Sequence, residues 1–235
     1  ACLAALRAEV APAELLVATP GGPAPGSRAR YGVAYHETVS GPPGPAACVA
    51  SPDGGRQFEA TAEPLGEALC ADLEEGLLDL PLGAKDRASV LADRYGWEPA
   101  EGLSLWCFGP RDCGTNAVLD AAGQALLRGP GLAATPPNCD DRGPVVAACR
   151  WATREGALCE EALRGVRFAL RSRALHGGGV LGGAGQLVGA ARRCLLAAEL
   201  RAGARLQEPL CWAEVLCPAG AAGAAEAREV LLARR

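Results

Sequence analysis

The chain has 235 residues and a formal charge of −4, with 49% hydrophobic, 21% charged and only 4% aromatic side chains. That composition excludes an intrinsically disordered polymer and permits one large or two modest domains. An acidic balance, 27 carboxylates against 23 basic residues, also excludes a globally basic nucleic-acid binder, so any RNA contact has to come from a local arginine patch.

In chain order, residues 2–16 predict the end of an amphipathic helix followed by a loop or strand, and the Gly/Pro-rich stretch 20–28 predicts a link. Residues 31–40, YGVAYHETVS, alternate like a half-buried strand. After the breaker GPPGP come two further strands, ACVAS and RQFEATAE, joined by the turn Pro52-Asp53-Gly54-Gly55. Residues 64–79 place Leu65, Leu69, Leu73, Leu77 and Leu78 on one helical face, and 84–95 predict a second helix. Trp106, Cys107 and Phe108 form a compact apolar strand ahead of Gly109-Pro110, and the low-complexity stretch 128–144 reads as a surface loop.

From 145 the pattern is helix, turn, then a second short helix or loop, with a strand at 166–175. A glycine-dense loop at 177–185, a strong helix at 190–202, a strand at 210–217 and a closing helix complete the chain. Strands alternating with helices predict an α/β or α+β fold.

Several chemistries fit poorly. The 11 cysteines form no C-x-x-C pair and gather no histidine into a zinc-like cluster, which predicts buried reduced thiols in a cytoplasmic protein. No apolar run is long enough to span a bilayer. Lys85 is the only lysine and lies in AKDRA, outside any G-x-x-x-x-G-K-[ST] phosphate loop. Gly177 to Gly182 formally matches G-x-G-x-x-G, but the helix starts late and Glu199, the acid at ribose distance, falls inside it. The carboxylate pair Glu160-Glu161 diverges if helical, as adjacent residues do. The densest basic set is Arg164, Arg167, Arg171, Arg173, Arg192 and Arg193. Arg167, Arg171 and Arg173 share one face of an unbroken strand and suit phosphate contacts, although arginine is equally a solubilising surface residue.

Six collinear stretches resemble translation elongation factor 2. They are YHETVS (35–40), WCFGP (106–110), NAVLD (116–120), WATREGALCEE with RGVRF (151–161 and 164–168), ARRCL (191–195) and RLQEP (205–209). The resemblance spans about 31–218 and implies a fold and a role. Residues 1–30 resemble the tail of the third domain. Residues 31–203 resemble the fourth domain, a βαβ fold similar to small-subunit ribosomal proteins that enters the decoding region during translocation. Residues 204–235 resemble the start of the fifth domain. The whole is expected to be α+β, with partial ferredoxin-like domains flanking the fourth.

On this resemblance the partners are the ribosome, its RNA and the tRNA–mRNA pair, with no membrane or DNA. GTP and Mg belong to a GTPase half that the chain lacks, so no cofactor and no catalytic residue is expected here. The absence of methionine, position 1 included, is what a fragment predicts. Two loops correspond to the domain tip: Ser51, Pro52, Asp53 and Arg56 in the first, and His176, Gly179, Leu181, Gly182, Gly185 and Gln186 in the second. Arg167, Arg171, Arg173, Arg192 and Arg193 are the basic contact candidates. The chain departs from the family at the tip. Leu181 stands where the family carries the histidine modified to diphthamide, and the first loop holds an acid, Asp53, where lysines are usual. A divergent paralogue or relic, serving only as a ribosome-binding or structural module, and a ribosome-assembly GTPase relative stand as alternatives.

Overall fold

In the computed structural model the chain divides into two compact units, one of residues 34–209 and one combining 1–33 with 210–235. The structure describes residues 35–77, 83–111, 114–121, 142–174, 184–208 and 229; all elements below belong to the 34–209 unit.

Eight strands and five helices are formed among the described residues. In order they are β1 His36–Val39, β2 Ala47–Ala50, β3 Arg56–Pro64, α1 Glu67–Glu74, α2 Ala84–Tyr95, α3 Pro99–Ser104, β4 Leu105–Gly109, β5 Asn116–Asp120, α4 Arg142–Ala152, β6 Ala162–Leu163, β7 Val166–Ala174, α5 Ala184–Arg201 and β8 Ala204–Gln207. The fold is mixed α+β with two sheets. A five-stranded sheet runs β2-β3-β7-β5-β4, and a three-stranded sheet runs β6-β1-β8. Within the larger sheet β5 and β7 are parallel and the other pairs antiparallel.

Period-two alternation builds the layers. On β7, Val166, Phe168 and Leu170 are buried on one face. They pack with Phe58, Ala60 and Ala62 of β3 and Val118 of β5 against α4 and α5. The alternate residues of β5, Ala117 and Leu119, face the opposite way, onto Leu69 and Leu73 of α1 and Leu91 of α2. The contact face of α5 is small, with Ala190, Ala191, Cys194, Leu195 and Ala198 all buried, so the helix lies close to the sheet. The Cys194 thiol donates to the Ala47 and Phe58 carbonyls at 3.4 Å, and burial pushes it up to about 12.

The 84–95 helix forms as expected. It ends where Gly96 takes φ +68°, a left-handed conformation that costs glycine little, and the Gly96 and Trp97 N–H groups close the last turn. Other expectations need correction. Helix α5 begins at 184 rather than 190, absorbing Gly185 and Gln186, and residues 142–144 of the expected loop belong to α4. Of the second short helix or loop left open after the turn, the loop forms: Glu160 has φ +60° and Glu161 leads into β6. Of the described cysteines, none of them in a disulfide, Cys70, Cys149 and Cys194 are buried as expected, but Cys48 and Cys159 are exposed. The stretch 204–207 forms β8, which pairs along the whole of β1.

Candidate functional site

The stretches that carry the family resemblance meet one another in space. Strand parity puts Glu37 of YHETVS on the same face as Val39, and both are buried. Its carboxylate accepts N–H groups from Leu158 at 2.7 Å, Cys159 at 2.9 Å and Glu161 at 3.1 Å, fixing the turn of WATREGALCEE. Along β1 the same strand pairs with β8, the RLQEP stretch. Buried Asn116 of NAVLD donates to the carbonyls of Gly109 (3.1 Å) and Leu163 (2.7 Å) and accepts from the Val166 N–H at 3.0 Å. One amide thus ties WCFGP, β6 and RGVRF together. The Arg192 guanidinium of ARRCL lies 4.4 Å from the centre of the Trp151 ring, and both reach the Glu155 carboxylate, at 3.3 and 2.7 Å.

Glu37 has a second partner on α5. Glu199 is fully buried beside it. Burial, then the hydrogen bond and charge of Glu37, push the Glu199 carboxyl up to about 8 against the opposing Ala157 N–H. For Glu37, burial alone would raise the carboxyl. The backbone N–H groups of Cys159 and Leu158, the proton of Glu199 and the Glu161 N–H outweigh it and hold Glu37 below the usual carboxylate range. Neither group reaches solvent, so the pair acts as an internal fastening rather than as an acid and base for a ligand.

Gly156 is part of this fastening. A Cβ there would lie 2.5 Å from the Glu37 carboxyl carbon and 2.7 Å from a Leu163 methyl. Gly156→Ala will lower stability by about 1–3 kcal/mol, the range of buried overpacking, read as a reduced urea midpoint. A loss under about 0.5 kcal/mol, the size of a neutral surface change, would show that the Glu37 turn has room to shift.

The tip residues fall in two places. Ser51, Pro52, Asp53 and Arg56 form the β2–β3 turn. There the buried Ser51 hydroxyl donates to Asp53 and accepts the Arg56 N–H at 2.9 Å, while the Gly55 N–H donates to Asp53 at 3.2 Å. The Asp53 carboxylate is therefore occupied within its own loop. Residue Ala174, the end of β7, is in register with Arg56 at the foot of this turn. Gly185 and Gln186 are exposed in the first turn of α5. His176, Gly179, Leu181 and Gly182 lie outside the described residues, as does the rest of the glycine-dense loop up to 183.

The arginine strand is unbroken, and Arg167, Arg171 and Arg173 do share a face. It is a ladder of ion pairs rather than a bare basic surface. Arg167 donates from Nε to Glu63 at 2.6 Å and from Nη1 to Glu101 at 3.1 Å, and it lies 5.2 Å from the centre of the Trp97 ring. Arg171 faces Glu59 at 3.5 Å. Arg164 grips Glu67 and Glu74 of α1. Arg173 is in register with Gln57, and Arg193 is exposed on α5. Of these glutamates, Glu59 and Glu63 sit directly across the strand pair from Arg171 and Arg167, where opposite charges stabilise by about 0.2–1 kcal/mol each.

Sequence reasoning missed a different basic cluster. Arg87 of α2 and Arg142 and Arg150 of α4 line one cleft along β4, together with Trp106 and Cys107. Their separation in the chain hid them, and Arg142 sat in a stretch read as loop. Among the described residues no three histidine, cysteine, aspartate or glutamate side chains gather to hold a metal. No helix among them is long and apolar enough to cross a membrane. No protein-family model matches the chain.

Proposed function

We propose that the chain is the ribosome-engaging, C-terminal part of a translation elongation factor 2-like protein, working in the cytoplasm as the arm that couples GTP hydrolysis elsewhere to tRNA–mRNA movement. What supports this is the interlocking of the six resembling stretches. Glu37 joins YHETVS to WATREGALCEE, Asn116 joins NAVLD to WCFGP and RGVRF, and Arg192 joins ARRCL to WATRE. Residues matched in order along the chain and joined to one another by hydrogen bonds and an ion pair support one scaffold rather than scattered similarities. On this reading residues 31–203 carry the fourth-domain fold and the Ser51–Arg56 turn forms one side of its tip.

A divergent copy that keeps the scaffold but has lost the translocating tip is the second reading. The first tip loop favours it, because Asp53 is held inside the turn and adds negative charge where RNA would approach. Leu181 in place of a modifiable histidine agrees.

Co-sedimentation of the purified chain with eukaryotic ribosomes across a salt series tests the proposal. Binding at low salt that weakens as salt rises is expected, since phosphate contacts release counterions. Failure to pellet with ribosomes at low salt would overturn it and leave the resemblance as ancestry.

A further inference from the structure

Strand β4 and helix α4 bring two thiols together. On β4, Cys107 is in register with Val118 of β5, and residues directly opposed in a sheet share one face. Val118 lies in the layer packed against α4 and α5, and Cys107 packs there too. Its neighbour Phe108 turns the other way, into the layer of α1 and α2. On α4, Val145, Ala148, Cys149 and Ala152 are buried, the i, i+3, i+4, i+7 spacing of a single helical stripe. Cys149 therefore meets the sheet from the middle of that stripe, and its thiol is in hydrogen-bond contact with the thiol of Cys107. Neither cysteine is in a disulfide.

Gly109, the next residue of β4 on the same face, shows how closely strand and helix approach. A Cβ there would lie 3.2 Å from the Cys149 sulfur and would run into the Thr153 hydroxyl. The two sulfurs differ in access. Cys149 is fully buried, whereas Cys107 is half-buried and lines the open cleft of about 330 Å³ between α2, β4 and α4. The hydrogen bond to Cys107, then burial, then the Cys107 charge hold the Cys149 thiol well above its ordinary range, against Arg150 and Thr153. An oxidant entering the cleft meets Cys107 first, with Cys149 behind it as a protonated partner. A reachable thiol beside a second, resolving cysteine is the arrangement of a redox-reactive site.

We propose that Cys107 and Cys149 are a reactive pair that a peroxide converts to a reversible disulfide, stapling β4 to α4. With hydrogen peroxide, the Cys107 sulfur attacks one oxygen and the O–O bond breaks. Cys107 becomes a sulfenic acid, and its thiol proton leaves with the departing hydroxide as water. Cys149 then attacks the sulfenic sulfur, its own proton leaves with the hydroxyl as a second water, and the S–S bond forms. Each sulfur gives up one electron, and the two peroxide oxygens are reduced. The sulfurs need only close from contact to the roughly 2.05 Å of a disulfide. The pairing depends on the packing of β4 against α4 and not on what the chain binds.

The test is peptide mapping of the full chain after brief exposure to hydrogen peroxide, with remaining thiols alkylated in urea before trypsin digestion. Cleavage after arginine leaves Cys107 in peptide 95–111 and Cys149 in peptide 143–150, each without another cysteine. The expected product is 95–111 joined to 143–150, lighter by two hydrogens than the separate peptides, and dithiothreitol should release both. Cys149→Ala should abolish the link and leave a Cys107 sulfenic acid that dimedone traps. Cys107→Ser should protect Cys149, which is then recovered as an alkylated thiol. A thermal melt establishes that each variant folds; where one does not, the wild-type map decides alone.

Cys107 linked chiefly to another cysteine, or both thiols recovered unoxidised, would overturn the pairing. So would Cys107 carried on to the sulfinic acid while Cys149 stays a thiol, or a link that survives dithiothreitol. Cys149 oxidised as fast in Cys107→Ser as in the wild-type chain would overturn Cys107 as the point of entry.

Discussion

Asn116→Leu will lower the unfolding free energy of the 34–209 unit by about 3–5 kcal/mol, one of the two largest effects expected of any single change here. Leucine fills nearly the same volume, so the loss is polar rather than a cavity. The native amide donates to the Gly109 and Leu163 carbonyls and accepts the Val166 N–H. All three are main-chain groups, and Asn116 itself has no exposed surface. Each buried group stranded by the substitution costs about 1–3 kcal/mol, set against a total stability of about 5–15 kcal/mol for a typical domain. Urea unfolding should show a lower midpoint with an unchanged slope. Asn116→Asp should fare no better. It keeps an acceptor for Val166 but turns a carboxylate toward two carbonyl oxygens. A loss below about 1 kcal/mol in Asn116→Leu would mean that the three strands are held by other bonds.

Local pattern carried much of the fold. The alternation of RQFEATAE and VRFALRSRAL marks β3 and β7, because each sets an apolar face against a helix layer and carries charged side chains on the other. The 84–95 helix is legible because its apolar spacing and the glycine that ends it agree. Legibility fails where an element is short or its partner distant. Helix α3 is six residues long and has no room for a period, and β6 has two residues whose strand partner among the described residues is β1. The start of α5 was hidden because Gly185 and Gly189 weaken the helical signal before Ala190.

The binding chemistry was the least legible. The arginines of β7 read as a basic face because the glutamates across from them belong to β3, and only the register Glu59↔Arg171 and Glu63↔Arg167 exposes the pairing. Arg87 and Arg142 converge through two helices and a strand edge, a tertiary event with no one-dimensional trace. The same holds for Glu37 and Glu199, which lie almost at opposite ends of the unit in sequence. Glu199 stood out only as an unconvincing partner for a glycine motif, and its burial against a second carboxylate is invisible until β1 and α5 are placed side by side.

That carboxylate pair sets the second large expectation: the fold loses stability as pH rises from about 5 to about 8, and Glu199→Gln removes the loss. The Glu199 carboxyl titrates near 4.5 when unfolded and is pushed up to about 8 when folded. Between those values the folded chain keeps a proton that the unfolded chain has released, so raising pH favours unfolding. The stabilisation is complete below about 4.5 and gone above about 8. Glu37 runs the other way. Its folded carboxyl is held below 4.5, so its contribution is present above that value and fades as pH falls below it.

The two slopes together place maximum stability in mildly acidic solution. At about 1.4 kcal/mol per pH unit as a ceiling, the alkaline loss will be on the order of 2–4 kcal/mol. Glutamine at 199 imitates the protonated acid: its amide lies beside Glu37, its oxygen can accept the Ala157 N–H, and it never ionises. Its melting temperature should therefore stay level from pH 5 to 8 while that of the wild-type chain falls. Glu37→Gln should be less stable throughout, because one oxygen must then serve the three N–H groups of Leu158, Cys159 and Glu161. Parallel curves for Glu199→Gln and the wild-type chain would mean that Glu199 is ionised and hydrated in the native state. In that case β1, α5 and the Leu158–Glu161 turn could not be packed around a dry carboxylate pair, and the fastening that joins the resembling stretches would have to be looser than its geometry indicates.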